Sequence, residues 1–410
     1  MVALAGCAPS VTAPPATPAS AAPSPSPTRT PVAGLDWRTA LDVARPEDAF
    51  APLASEGPRG RFTAGHPSHF PGQAPISDVT ALGSRLVAVG YVGWDWRPVA
   101  WTSTDPDHWS LVEIGRAKPS EPAFAIAVTA LPDGSGVVAV GRSGSHPVAW
   151  SSADGGAWTE RDVPVVDGPT DWDRMTAVAS GPLGILAGGS VGPELFQRQA
   201  RFWRSTDGVA WTPVADDPGF DGAEVTAIIP VTDGWLALGR LGTGQRTTGS
   251  VAWRSPDGDH WTRIDDADLA RGWARSVVRA QDGSLVAVGS EPDEIGAYVW
   301  RSIDEGRTWT LAPEEPSRTY AGGKGKARMT DVTVTATGLL AVGNVVDMQF
   351  GTGESWTSTD SVHWDRSPDQ PPLGQAEPSA VVPFEGKYVM VGTFGAPDNY
   401  IPRVWISPPG

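Results

Sequence analysis

The chain has 410 residues, and 47 acidic against 31 basic side chains give it a formal net charge of −16. An acidic surface repels phosphate backbones, and the sequence has no basic stripe, which argues against nucleic-acid binding. No apolar run approaches the roughly 18 to 20 residues of a membrane-spanning helix. The six histidines stand apart, without HxH or HExxH spacing, so we expect neither a metal nor another cofactor.

The first predicted element is a membrane anchor. Leu4-Ala5-Gly6-Cys7 resembles the bacterial lipobox, and residues 8–33 are nearly all Ala, Pro, Ser and Thr, a composition that cannot bury enough apolar area to fold. We expect residues 1–7 to be the end of a signal peptide, residues 8–33 to be a disordered tether, and lipidated Cys7 to be the only membrane attachment of an extracytoplasmic protein. The alternative is a disordered N-terminus with a chance LAGC.

Further along, a tryptophan is followed two and four residues later by serine and aspartate, and then by a second tryptophan. The motif occurs six times, with first tryptophans 47 to 56 residues apart, a spacing typical of propellers, solenoids and similar arrays. We interpret its residues as structural. They include Ser103, Asp105 and Trp109 in the first copy, then Asp154 and Trp158, Asp207 and Trp211, Asp257 and Trp261, Asp304 and Trp309, and Asp360 and Trp364.

Each motif is preceded by a five-residue apolar run that ends in glycine, such as Leu86–Gly90, and before that by a β-prone segment, such as Val79–Leu82. The runs indicate strands buried on both faces. A third strand ends at the first tryptophan of the motif, and a fourth strand starts at the second tryptophan. Four antiparallel strands in about 50 residues predict one propeller blade, and the run occurs seven times.

The motif itself is predicted to be the turn between the third and fourth strands, because Ser and Asp accept backbone hydrogen bonds and Gly takes positive φ. It resembles the Asp box of the sialidase-like propellers (BNR repeats). The fifth copy, Ser302 to Trp309, matches that family's S-x-D-x-G-x-T-W, and the resemblance extends over residues 76–407.

The seventh blade is divided between the chain ends. Its third strand runs through Trp405 to Ser407, where the chain stops inside the turn, and Gly34–Thr39 resembles the missing second half of a box. We therefore predict an all-β fold over residues 34–410: a seven-bladed propeller of four-stranded antiparallel blades. The N-terminal strand, starting at Trp37, completes the last blade and so removes two exposed sheet edges.

In a propeller the box turns lie on the bottom rim, and the opposite loops line the face that normally carries binding residues. The ligand-binding candidates in these loops are Trp94, Trp96, Arg97, Trp172, Arg174, Trp273, Arg275 and Arg328. Three of the arginines, Arg174, Arg275 and Arg328, directly precede the innermost strands of blades three, five and six. We therefore expect these three side chains to converge on one anion. The alternatives are that the tryptophans cap strands and that the arginines line the channel, paired with acids.

The resemblance to sialidases implies an arginine triad, a tyrosine nucleophile backed by a glutamate, and an aspartate as acid catalyst. The triad would be Arg174, Arg275 and Arg328, the nucleophile would be Tyr320, and the glutamate behind it would be Glu224. No Arg-Ile-Pro motif opens the first blade, and sialidase rings have six blades. We therefore expect a monomeric, non-catalytic module that binds a glycan or protein partner, with a sialidase-like exo-glycosidase as the alternative.

Overall fold

The computed structural model describes residues 35–45, 74–93, 96–115, 122–165, 170, 172–194, 197–243, 246–292, 296–312, 326–347, 350–395 and 400–409. All of them belong to one compact unit, Val32–Gly410. The predictions made for Cys7, the tether, Trp94 and Tyr320 lie outside the described residues.

Two short strands come first, β1 (Arg38–Thr39) and β2 (Asp42–Val43). Blades one to three then comprise β3 (Ile76–Leu82), β4 (Arg85–Val92), β5 (Arg97–Asp105) and β6 (His108–Glu113); β7 (Ala123–Ala130), β8 (Val137–Ser143), β9 (His146–Ser152) and β10 (Thr159–Asp162); and β11 (Arg174–Gly181), β12 (Gly184–Glu194), β13 (Gln197–Ser205) and β14 (Thr212–Pro213).

Blades four to six comprise β15 (Ala223–Val231), β16 (Gly234–Thr243), β17 (Arg246–Ser255) and β18 (Thr262–Ile264); β19 (Trp273–Arg279), β20 (Leu285–Ser290), β21 (Ala297–Ser302) and β22 (Thr310–Leu311); and β23 (Lys326–Thr335), β24 (Gly338–Asp347), β25 (Phe350–Ser358) and β26 (Asp365–Arg366). Blade seven comprises β27 (Ala376–Phe384), β28 (Lys387–Phe394), β29 (Ile401–Ile406) and β1. The predicted seven-bladed propeller is confirmed.

The core lies between neighbouring blades. The first strands of successive blades contact one another around the ring, including β27 with β3, so they are the innermost strands. Among the described residues the buried apolar side chains form seven clusters, one at each interface between blades. The second strands, such as Leu86 to Val89, are fully buried because each packs against a blade on both faces.

The Ser-x-Asp turns connect third and fourth strands. In the second copy, the Gly155 amide donates to Ser152 Oγ and the Gly156 amide to Asp154 Oδ1, both at 2.8 Å. Gly155 has φ of +77°, which a side chain would oppose. These bonds satisfy the turn's backbone donors locally, so the same turn can be repeated from blade to blade.

In five of the seven blades, the first tryptophan of the motif anchors the connector that leads into its own blade. Its indole N–H donates to a backbone carbonyl of that connector in five blades, at 2.8 to 2.9 Å; the pairs are Trp101 with Ala44, Trp203 with Pro164, Trp253 with Gly219, Trp300 with Asp268, and Trp405 with Pro372. The motif thereby also positions the chain that runs between blades.

The predicted closure of the ring is confirmed. β1 pairs antiparallel with β29, with Arg38 opposite Ile406 and Thr39 opposite Trp405, so the strand begins one residue after Trp37. Trp37 is 4% exposed and packs in the cluster between blades six and seven. Its indole N–H donates to Ser355 Oγ at 3.0 Å, and its amide donates to Gln370 Oε1 at 2.6 Å.

The chain then adds a strand that the sequence does not indicate. β2 pairs in parallel with β6 of blade one, with Asp42 opposite His108 and Val43 opposite Trp109. Blade one therefore has five strands, and the segment 38–44 joins the last blade to the first. Two residues carry no readable period, which is why β2 escaped prediction.

Candidate functional site

We call the top face the side of the ring where the first strands begin and the second strands end, opposite the Ser-x-Asp turns. The pairing of these strands brings Arg174 opposite Ser190 in blade three, Glu224 opposite Arg240 in blade four, and Arg328 opposite Asn344 in blade six. The register alone therefore places polar and charged side chains around the mouth of the channel.

Three arginines surround one carboxylate between blades three and four. Arg174 Nε donates to Glu224 Oε1 at 2.6 Å, its Nη2 contacts the same oxygen, and Ser190 Oγ donates to it at 3.1 Å. Arg198 Nη1 donates to Oε2 at 3.1 Å, and Arg240 contacts Oε2 through Nε and Nη2, both at 2.6 Å. We call these five residues the blade three–four cluster.

The blade three–four cluster carries more positive than negative charge. Three guanidinium groups against one carboxylate leave a net charge of +2. Glu224 is 4% exposed, whereas the arginine side chains are 17 to 21% exposed. The pKa of Arg198 is lowered by burial and also by the like charge of Arg174, while Glu224 acts in the opposite direction. A further anion at this point would be stabilised.

Two tryptophans among the predicted binding residues contact arginines, and one of these arginines, Arg240, belongs to the blade three–four cluster. The guanidinium carbon of Arg142 lies 4.7 Å from the ring centroid of Trp172, which is 36% exposed. Arg240 and Arg275 lie 4.9 and 3.4 Å from the ring centroid of Trp273. Cation–π contacts of this kind hold guanidinium groups in place on a protein surface.

A second group, the blade six–seven cluster, consists of Arg328, Asn344, Glu377 and Tyr400. Arg328 Nε donates to Asn344 Oδ1 at 2.7 Å, but its Nη2 lies 3.8 Å from Glu377 Oε2, and the Tyr400 hydroxyl donates to Glu377 Oε1 at 3.4 Å. Burial and then the charge of Glu377 raise the pKa of Tyr400. Asn344 is fully buried, and its Nδ2 has no hydrogen-bond partner.

The predicted binding residues have separate surroundings. Arg174 contacts Glu224, Arg275 stacks on Trp273, and Arg328 contacts Asn344 and Glu377. Their convergence on one anion stays a prediction. Trp96, at φ of +50°, packs on Phe124 with ring centroids 5.0 Å apart, and Arg97 begins β5.

Sequence reasoning missed Arg198 and Arg240, although they complete the cluster. Arg240 directly follows Gly239, the glycine that ends the apolar run of blade four, and this position is a usable signal because it is where second strands reach the top face. Arg198 lies in a strand without a repeated pattern at that end, so no signal in the sequence singled it out.

In the described part of the chain, no helix is long and apolar enough to cross a membrane, and no group of three His, Cys, Asp or Glu side chains is placed to hold a metal ion. No protein-family model matches the chain, and no curated protein matches it.

Solved structures do match. The polysaccharide lyase Uly1 superposes with a TM-score of 0.51 at 11% identity, over 92% of this chain and 98% of that chain. YCF48 bound to D1 peptide gives 0.51 at 12%, over 83% and 95%. The Trypanosoma rangeli sialidase in complex with 2,3-difluorosialic acid gives 0.48 at 13%, over 82% of this chain but only 54% of the sialidase. At these identities the likeness shows a propeller fold and nothing finer.

Proposed function

We propose that this protein is a non-catalytic binding module, an Asp-box propeller whose top face holds an anionic group of a protein or glycan partner. The observation that carries the proposal is the blade three–four cluster, where three arginines meet one carboxylate and keep a net charge of +2 on a chain with a net charge of −16. Guanidinium groups that are already oriented bind anions with little loss of side-chain entropy.

The same geometry favours binding over catalysis by Glu224. Both carboxylate oxygens accept from arginine, and Oε1 also accepts from Ser190. A general base or nucleophile must reach the substrate with an available oxygen. Glu224 instead orients the arginines, and the rigid ring keeps them oriented.

A protein partner has support from the fold. YCF48, a propeller of similar architecture, has been solved bound to D1 peptide, so a propeller of this kind can bind a peptide. The Trp273 ring, which contacts Arg240, widens the contact surface beside the arginines. A glycan partner uses the same charges, and the binding experiment distinguishes the two.

We further propose that lipidated Cys7 tethers the propeller to the outside of a bacterial membrane. Trp37 stands beside the end of β29 that leads to Ser407, on the rim of the Ser-x-Asp turns. The described part of the propeller thus begins on the rim opposite the blade three–four cluster. Cys7→Ser should move the protein from the membrane fraction to the soluble fraction, and an unchanged membrane fraction would contradict the anchor.

The binding proposal is tested with peptide and glycan arrays probed by the wild-type propeller and by Arg198→Gln. We expect acidic ligands to be retained by the wild type, released by salt, and lost in the variant. The matched control is Arg366→Gln, because Arg366 has a side chain of nearly the same exposure, 18%, and lies in the outer strand of blade six. If both variants lose ligand binding equally, the loss comes from the change in the net charge of the chain and not from the blade three–four cluster.

The alternative function, a sialidase-like glycosidase, makes a different prediction in the same preparation. It requires turnover of a fluorogenic sialoside that disappears in Arg174→Ala. Such turnover would replace the binding proposal, whereas ligand retention without turnover supports it.

A further inference from the structure

The blade three–four cluster has hydrogen-bond donors left over after Glu224 is satisfied. Arg174 and Arg240 each use Nε and Nη2 on the carboxylate, and Arg198 uses only Nη1. Among the described residues, Nη1 of Arg174, Nη1 of Arg240, and Nε and Nη2 of Arg198 have no protein partner, and none of these atoms is buried. Three guanidinium groups around one carboxylate therefore keep donors that no described residue engages.

The number of these donors discriminates between anions. A carboxylate is planar, has two oxygens, and is satisfied by the fork of a single arginine. A phosphoryl group has three oxygens, which three separate guanidinium groups can engage at once. Their separation on three strands (β11, β13 and β16) suits the tetrahedral group better than the planar one.

Charge balance points to the same ligand. The cluster has a net charge of +2, and a phosphomonoester carries about −1.5 to −2 near pH 7, whereas a carboxylate carries one negative charge. The like charges of Arg174 and Arg198 oppose each other across the cluster, and a dianion compensates both. Because Glu224 neutralises only one of the three arginine charges, a ligand that balances the cluster must carry two negative charges.

We infer that the blade three–four cluster is a phosphomonoester site, made by Arg174, Arg198 and Arg240 above the buried carboxylate of Glu224. The inference rests on the proposed binding function and names the class of its ligand. The phosphoryl group belongs either to a phosphorylated protein side chain or to a phosphorylated sugar.

The experiment is calorimetry on the full chain with a phosphoserine peptide, the same peptide with glutamate at that position, glucose 6-phosphate, inorganic phosphate and inorganic sulfate. We expect the phosphoserine peptide to bind at least tenfold more tightly than the glutamate peptide, and Arg198→Gln to remove that preference. Arg366→Gln should keep it. The preferred source is shown by whether the phosphopeptide or the sugar phosphate binds more tightly than inorganic phosphate.

Titration of the ligand gives a second readout. Lowering the pH from 7.5 to 5 protonates a phosphomonoester, whose second pKa is about 6, so phosphate affinity should fall several-fold while sulfate affinity stays constant. Glutamate and phosphoserine peptides of equal affinity, both lost in Arg198→Gln, would overturn the phosphate inference and leave the binding function standing. Failure of every anionic peptide and sugar to bind would overturn both.

Discussion

Two arginine–glutamate pairs stand at equivalent positions on the top face, three blades apart, and they differ in tightness. Arg174 of blade three meets Glu224 of blade four at 2.6 Å, and this glutamate is 4% exposed. Arg328 of blade six lies 3.8 Å from Glu377 of blade seven, which is 28% exposed. The backbone supplies the same positions twice, so the difference comes from the side chains around each pair.

The neighbours explain the contrast. Around Glu224, Arg198 and Arg240 add two positive charges, whereas around Glu377 the hydroxyl of Tyr400 adds none. Trp37 of the closing segment packs in the apolar cluster between blades six and seven. Between blades three and four, the side chains that join the blades also carry a net charge of +2. Between blades six and seven, Arg328 and Glu377 balance each other's charge, and the closing segment joins the blades through an apolar ring.

The largest effect is expected at the interface between blades six and seven. Trp37→Ala removes a buried ring and loosens the strand that closes the propeller, so the free energy of unfolding should fall by about 3–5 kcal/mol in chemical denaturation. Trp172→Ala is the control, because its ring is 36% exposed and should cost under about 1 kcal/mol. Equal losses would refute the proposed role of Trp37 in closure.

The next effect separates the two glutamates. Glu224→Ala leaves three arginines without their shared counter-charge and should lower the free energy of unfolding by about 3 kcal/mol. Glu377→Ala, at the equivalent position, should lower it by less than about 1 kcal/mol because the pair is long and partly solvated. If thermal denaturation gives the two variants similar midpoints, the contrast in tightness has no energetic meaning.

A third carboxylate between blades sharpens the comparison because it accepts only backbone donors. Asp78 accepts from the amides of Val79 and Val128, both at 2.8 Å, and burial, together with the charge of Asp331, raises its pKa to about 7. The raised pKa means that the folded state binds the proton more tightly than the unfolded state does. Stability from this group is therefore complete below about pH 4 and lost as the pH rises to about 7.

We expect the free energy of unfolding to fall by about 2 kcal/mol across that window, less than the full shift implies because part of the Asp78 residue stays in contact with solvent. Asp78→Asn should flatten the profile measured by urea denaturation at several pH values. A profile as steep in the variant as in the wild type would assign the dependence to other groups.

The smallest effect tests the guanidinium geometry. Arg174→Lys loses the contacts made through Nε and Nη2 and should cost about 1 kcal/mol, since an ammonium cannot reproduce the fork. Arg328→Lys should cost less, about 0.5 kcal/mol, because it loses one bond from Nε to Asn344 and a contact with Glu377 that is already 3.8 Å long. Equal thermal midpoints for the two lysine variants would show that charge alone matters at both places.

The fold could be predicted to the level of single strands where the pattern repeats. The apolar runs located the second strands, and the half box at Trp37 located the closing strand within one residue. Prediction stopped at the parallel strand β2, because two residues contain no period. It also stopped at the site: the sequence allows channel arginines paired with acids, but it does not indicate that the acid beside Arg174 is Glu224.

The sequence by itself determined the number of blades, the turns between third and fourth strands and the closure of the ring. The blade count and the turns each depend on residues within a few positions of one another. The closure follows from a motif whose two halves stand at opposite ends of the chain, at Trp37 and Ser407, so the repeated pattern is enough to specify it too. Only the tertiary structure decided which charges meet. Arg174, Arg198 and Arg240 stand 50, 26 and 16 residues from Glu224 along the chain, and they reach it because the ring brings the top ends of β11, β13, β15 and β16 together. The balance of charge at that point is a property of packing between blades, which no single repeat contains.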